Sequence, residues 1–426
     1  MASIWLQRVG LLSPDGEAAA GDALLAGDGE LLGIGPAAAT VARELGLQPI
    51  DAANWWLGPA LVDPHSVLED PWGGRAETLA SLAAAALAGG YGSLALLPWA
   101  ASWRDRPERL QLVGPDPLRL LLWGSFSIDG ADQRLAPHGD QLAAGALGLA
   151  GGENCPPLAL LERGLSLAEQ AEAPLLLAPR DASLVGAGFV REGVEALRAG
   201  WPMDPSLSEQ LPLQTLLSLA EALQVPALRL MNISTAAGVE LLRGWRGQRR
   251  PLASVCWWHL LADAARLYPT AEGWRLVPSL GTPRDREALI GALAEGLISA
   301  VAVNHLALDA EEHLLPLDQR RSGVAGHGLV LPLLWRELVA ERGWSPAQLW
   351  QVLCWGPAEL LAIERPLLRP GTRHWLLFDP QAAAAPAPAE GSLAANRPLL
   401  EQLRPGVPLR GAIRASGLVP IESWDL

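Results

Sequence analysis

Apolar and polar positions alternate in twos near both ends of this chain, whereas the middle is built of short continuous apolar runs separated by alanine- and leucine-rich stretches. Near the start, Ile4-Trp5-Leu6 is followed by Ala23-Leu24-Leu25-Ala26 and Leu31-Leu32-Gly33-Ile34-Gly35, which flank the turn Gly27-Asp28-Gly29. That pattern predicts a β-hairpin. Residues 375–380 and 407–413 are again strand-like, so the two ends are expected to pair into one small β domain. Residues 1–56 and 365–426 would form it, leaving 57–364 as a separate unit. Residues 382–390, almost wholly Ala and Pro, read as an extended linker.

Eight runs in the middle have the length and apolar content of buried parallel strands: 58–63, 92–98, 118–124, 146–150, 174–178, 226–232, 252–256 and 298–304. Helical stretches fall between them, at 77–88, 158–171, 211–223 and 284–297 among others. The last is opened by Thr282-Pro283, an N-cap followed by proline at the first helical position. Alternating strand and helix with eight strands predicts a (β/α)8 TIM-type barrel, in which the residues just past each strand's C-terminal end form the functional face. The first strand ends in the polar corner Asp63-Pro64-His65, and Asp70-Pro71 closes the loop after it. His65 and its neighbours are therefore where chemistry is expected.

Composition narrows the classes. At 426 residues and 50% hydrophobic, the chain can fill a large barrel and a smaller domain. It has no run of about eighteen uninterrupted apolar residues and no basic region followed by an apolar core at its start, which predicts a soluble cytoplasmic protein without membrane contact. A net charge of -14 argues against nucleic acid as a partner, because tracking phosphates needs clustered cations. Cys155, Cys256 and Cys354 have neither disulfide nor zinc-ribbon spacing. All 32 basic residues are arginine. That excludes a Schiff-base lysine, a P-loop lysine and a carboxylated lysine bridging two metals. The 18 tryptophans are expected mostly in the core or at subunit contacts.

The stretch from Leu57 to Pro71 resembles the dihydroorotase and cyclic amidohydrolase family, whose pattern here is Pro-Gly-x-x-Asp-x-His-x-His-x-Arg-x-Pro. The resemblance extends along most of the chain. Asn232-Ile233-Ser234-Thr235-Ala236 stands where the family has His-Val-Ser-Thr-Ala, and Trp257-Trp258-His259-Leu260 where it has Pro-His-His-Leu. The stretch from Val277 to Thr282 is similar to Asn-Pro-Pro-Leu-Arg-Thr, Val303-Asn304-His305-Leu306-Ala307-Leu308 to Thr-Asp-His-Ala-Pro-His, and Gly356-Pro357-Ala358 to Asn-Pro-Ala.

The resemblance implies a zinc amidohydrolase frame whose ligands come from the ends of strands one, four, five, six and eight. On this chain those positions are His65, Val67, Gly152, Ala178, Asn232 and Asn304. Of these only His65 is a good zinc ligand, with Glu153 reaching the site if strand four slips by a residue. Asn304 occupies the family's general-base position and cannot accept a proton near neutral pH. At the substrate positions stand Glu69 in place of an arginine, and Trp99, Val277, Gly281 and Leu308, which predicts a smaller, more apolar and non-cationic pocket. No cofactor is expected on this reading. It implies a catalytically inactive dihydroorotase-like protein of the pyrimidine biosynthesis type, oligomeric, with the catalytic chain of aspartate carbamoyltransferase as its first candidate partner. Two alternatives stand beside it. One is an active dihydroorotase or other cyclic-amide hydrolase with a zinc site rebuilt from His65, Glu153 and either His259 or His305. The other is a metabolite-binding module.

Overall fold

The computed structural model describes residues 3–16, 19–74, 76–168, 173–266, 275–383 and 408–426. The linker expected at 382–390 lies almost wholly outside them. The N-terminal strands are β1 (Ile4–Leu11), β2 (Ala19–Leu25), β3 (Leu31–Ile34), β4 (Pro49–Asp51) and β5 (Trp56–Pro59). The barrel strands follow as β6 (Leu61–Ser66), β7 (Tyr91–Leu96), β8 (Arg119–Leu122), β9 (Gly124–Ser125), β10 (Leu149–Ala150) and β11 (Leu175–Leu177). A two-stranded excursion, β12 (Val190–Arg191) and β13 (Met203–Asp204), precedes β14 (Leu228–Leu230), β15 (Leu252–Cys256) and β16 (Ala300–Ala302). β17 (Trp375–Ala383) and β18 (Arg410–Ser416) return to the first sheet.

Both ends of the chain share one sheet in the order β18-β17-β5-β1-β2-β3, with β4 on β1. The hairpin read around Gly27-Asp28-Gly29 is β2 and β3, and the outer C-terminal pair is antiparallel. Leu6, Val9, Leu25, Leu57, Trp375 and Leu377 form its core; a register irregularity between Leu6 and Val9 lets both face inward where plain alternation would not.

Each of the eight apolar runs holds a barrel strand, with two corrections. The run at 58–63 is two strands, because the chain changes partners at Ala60: its N–H donates to His374 O (3.0 Å) in the terminal sheet, and that of Leu61 to Gly90 O (2.8 Å) in the barrel. The third run breaks at Trp123, whose N–H bonds back to Leu96 O (2.9 Å), while Gly124 N bonds forward to Gly148 O (2.9 Å). Parallel ladders run β6-β7-β8 and β9-β10-β11-β14-β15-β16. Asn304 N to His65 O (3.2 Å) and Val67 N to His305 O (2.7 Å) close the ring between strands eight and one. The result is a (β/α)8 barrel carrying a small β domain. Among the described residues no helix is long and apolar enough to cross a membrane.

Helix Leu207–Ala222 begins four residues before the expected 211, with Pro212 inside it rather than at its start. Helix Pro283–Ala294 has the expected Thr282 cap and a full capping box with Asp285. Trp123, Trp350, Trp355 and Trp375 are wholly buried, and their indole N–H groups donate to Pro64, Pro59, Pro366 and Gly29 carbonyls, so these rings are core. Helix Gly356–Leu360 packs so close to strand eight that a Cβ on Gly356 would lie 1.8 Å from Ser299 O. Gly356→Ala is expected to cost about 1–3 kcal/mol, the range for overpacking a filled core, as a lower urea midpoint at unchanged slope. An unshifted midpoint would show that the helix can move away freely.

Candidate functional site

Strand ends one, six, seven and eight meet in a hydrogen-bonded cluster under the barrel mouth. His65 is wholly buried, and its Nε2 lies 2.8 Å from Ser254 Oγ on strand seven. The same hydroxyl accepts the Asn232 N–H (3.0 Å), Asn232 Nδ2 donates to Asn304 Oδ1 (3.0 Å), and Asn304 Nδ2 donates to Val277 O (3.3 Å). Asn232 and Asn304 both sit in the left-handed region, with φ of 55° and 49°. Asparagine is among the few non-glycine residues that settle there. Burial drives the His65 ring pKa down to about 4, so the ring is neutral at pH 7.

Above the cluster lies a cleft of about 510 Å³ bordered by Val67, Glu69, Trp99, Glu153, Val277 and Leu306, among others. A narrower chamber beneath it is lined by Ala178 and Asn232 and shares Trp99, Glu153 and Val277 with the cleft. Gly152 borders an outer extension beside Trp99 and Glu153. Gly281 and Leu308 line none of these spaces. Gly281 faces Asp285, and Leu308 is buried beside Gly323. The fold thus brings Val67, Glu69, Trp99, Glu153, Ala178, Asn232 and Val277 to one mouth, with His65 and Asn304 behind.

The expectation of a non-cationic pocket is corrected: Arg180, Arg275, Arg320 and Arg321 border the cleft. They come from loops after strands five, seven and eight, so the motif positions do not contain them. Glu69 is not a free negative charge either, because Arg321 grips it through two hydrogen bonds of 2.7 and 3.0 Å. Burial raises the Glu153 pKa, an effect that Arg180 and Arg321 oppose.

His259 is held apart from the cluster, whereas the rings of His305 and His327 lie 5.1 Å from each other, centroid to centroid. His259 Nε2 is 3.4 Å from Ser279 O, and burial lowers that ring to about 4. His305 Nε2 is 3.2 Å from Glu77 Oε2. His327 is wholly buried, with Nε2 2.9 Å from Asp63 Oδ2. Asp63 also accepts from Ser66 Oγ (2.5 Å) and Val303 N (3.0 Å), tying strand one to strand eight. Among the described residues no three His, Cys, Asp or Glu side chains converge on a common metal position.

Sequence reasoning missed Ser254, the hub of the cluster, and the cleft arginines. Arg180 carried a usable signal, since it follows the end of strand five on the functional face. Ser254 lies in an otherwise apolar run and carried one weakly.

A probable dihydroorotase-like protein of Synechocystis sp. is 34% identical over 375 residues, spanning 79% of this chain and 84% of the relative. The dihydroorotase of Anaeromyxobacter dehalogenans is 28% identical over 332 residues, 76% of each chain. No protein-family model matches. The L-hydantoinase (dihydropyrimidinase) from Arthrobacter aurescens superposes with a TM-score of 0.74 over 98% of this chain and 94% of its own, at 16% identity. The D-hydantoinase (dihydropyrimidinase) from Thermus sp. gives 0.72 over 99% and 97%, at 17% identity. At such identities these two likenesses speak for the fold, a barrel with a terminal β domain. The relative at 34% identity carries the assignment further: this chain belongs to the dihydroorotase family of the amidohydrolase superfamily.

Proposed function

We propose that this chain is a dihydroorotase-fold protein that has given up zinc-assisted hydrolysis and serves a structural or regulatory role. The observation that carries this reading is the Asn232–Asn304 pair, whose amides bond each other at 3.0 Å where the family frame calls for a histidine ligand and an aspartate base. Zinc needs nitrogen, sulfur or carboxylate donors with free lone pairs. Val67 and Ala178 offer none, Asn304 Oδ1 accepts from Asn232, His65 Nε2 is engaged by Ser254, and His65 Nδ1, which is open, is not joined by two further His, Cys, Asp or Glu side chains among the described residues. The residues present do not fit zinc, and no reaction step is assigned to it. The rebuilt-site alternative needs His65, Glu153 and His259 or His305 together, whereas their partners are Ser254, Ser279 and Glu77 in separate places.

By resemblance to noncatalytic dihydroorotase homologues, the first partner to test is the aspartate carbamoyltransferase catalytic chain. Elemental analysis of protein produced with zinc in the medium and purified without chelator is expected to give well under one zinc per chain, with no hydrolysis of L-dihydroorotate. One or more zinc ions per chain together with turnover would overturn the inactive reading. Mixed at micromolar concentration, the two chains are expected to co-elute on size exclusion, and separate elution would remove this partner.

A further inference from the structure

The outer extension of the cleft has fixed aromatic walls, which the family frame does not explain. This space of about 590 Å³ lies among the loops after strands one to four, and Trp99 and Trp103 both border it. Each ring is held in place. Trp99 Nε1 donates to Gly151 O at 2.9 Å. Trp103 lies so close to the loop after strand three that a Cβ on Gly130 would stand 2.2 Å from its ring, and one on Gly152, after strand four, would come within 3.7 Å. Gly130 has a φ of 64°, so glycine serves there both the left-handed turn and the seat of the indole. Indole faces fixed beside open space attract cations, because the ring quadrupole is negative over its face and tryptophan is the strongest of the aromatic partners.

Charge is an independent observation with the same sign. Among the described residues no arginine borders this space, whereas Glu69, Asp70, Asp132 and Glu153 do. Arg321 neutralises Glu69, and Arg180 and Arg321 offset Glu153. Asp70 and Asp132 have no such partner among the described residues. Asp70 Oδ1 accepts from Trp72 N and Gly73 N at 3.1 Å each, and Asp132 Oδ1 accepts from Ser127 Oγ at 2.7 Å, which leaves Oδ2 of both carboxylates open. Burial raises the Asp132 pKa, an effect that a bound cation would oppose. An ammonium is a compact and strongly hydrated point charge. A guanidinium is flat and weakly hydrated, stacks on indole faces and turns its N–H edge to carboxylates, so it suits both kinds of wall at once.

We propose that the outer space binds a small alkylguanidinium, with its plane against Trp103 and Trp99 and its N–H edge toward Asp70 and Asp132. The site goes beyond the reading above and does not depend on whether the chain hydrolyses anything. Its parts come from the loops after strands one to three, at positions outside the ligand and base set of the frame.

Isothermal titration of the full chain with butylguanidinium at low ionic strength tests this, against butylurea, its neutral isostere, and tetramethylammonium, a cation without N–H groups. Butylguanidinium is expected to bind tightest, with butylurea weaker by about tenfold or more and tetramethylammonium by a smaller factor. Asp70→Asn and Asp132→Asn keep the shape and the local acceptor, and each is expected to weaken butylguanidinium about tenfold or more. Trp103→Leu is expected to weaken it about fivefold or more. Glu422→Gln makes the same change in net charge on the terminal segment Ile421–Ser423 and should leave the affinity within about twofold. Thermal midpoints report whether each variant folds, and the two isosteric asparagine variants decide the matter if Trp103→Leu does not. No saturable binding, butylurea or tetramethylammonium binding as tightly as butylguanidinium, or unchanged affinity in both asparagine variants would overturn the site.

Discussion

Glu209→Ala is expected to lower the unfolding free energy by about 3–5 kcal/mol, the range for removing one member of a buried, fully hydrogen-bonded charge cluster. Glu209 is 1% exposed, on helix Leu207–Ala222. One carboxylate oxygen accepts from Ser234 N (2.9 Å) and Ser234 Oγ (2.5 Å), the other from Thr235 N (3.1 Å) and Thr235 Oγ1 (2.6 Å). Arg191, wholly buried, lies 3.5 Å from it and 3.0 Å from Asp204. Alanine would strand four donors and leave Arg191 with Asp204 alone as a carboxylate partner among the described residues. Thr235 also caps helix Ala236–Gly244, so the carboxylate joins two successive βα units. That helix comes so close that a Cβ on Gly238 would lie 2.3 Å from Glu209 Oε1. Urea unfolding at constant slope measures the loss. Glu209→Gln, which keeps the shape and one acceptor, is expected to cost less, and a loss under about 1 kcal/mol for the alanine variant would sink the linchpin role.

This cluster explains what the sequence made legible. Ser234-Thr235 matches the family frame because Glu209 needs two hydroxyls and two N–H groups at that strand end, and Asp63 matches because it ties strand one to strand eight through Val303 N and His327. These are scaffold requirements, so they survive where Val67, Ala178, Asn232 and Asn304 differ from the frame. The strands were readable because a parallel strand covered on both faces is a continuous apolar run. Ala60 and Trp123 were not, since a change of strand partner is a hydrogen-bonding event that leaves hydrophobicity unaltered. Arg180 and Arg275 escaped for a related reason. Loop side chains carry no periodicity, and their convergence is a property of the closed barrel. The same blindness produced the error about the pocket's charge, which counted motif positions and omitted the loops between them.

Stability is expected to fall as the pH drops from about 6.5 to 4, by about 3 kcal/mol for His65 and a similar amount for His259. Burial is the dominant cause at both rings, which go from an ordinary 6.5 to about 4. In the unfolded chain both take up a proton near pH 6.5, and in the folded protein neither does until about pH 4. Between those values the unfolded state binds more protons, so stability is whole above the window and is lost within it. Glu153, Asp132 and Asp263 act in the opposite direction, because burial raises their pKa values and the folded state takes protons first. Separating the contributions therefore needs a variant. His65→Gln removes one titration, so its urea-measured stability, compared with the parent protein, should gain about 3 kcal/mol between pH 7 and pH 4. Parallel pH curves for the two proteins would mean that the buried ring finds a way to hold its proton. A ring that stays neutral down to about pH 4 carries no imidazolium proton to donate at pH 7, which leaves His65 Nε2 to its hydrogen bond with Ser254 in the barrel frame.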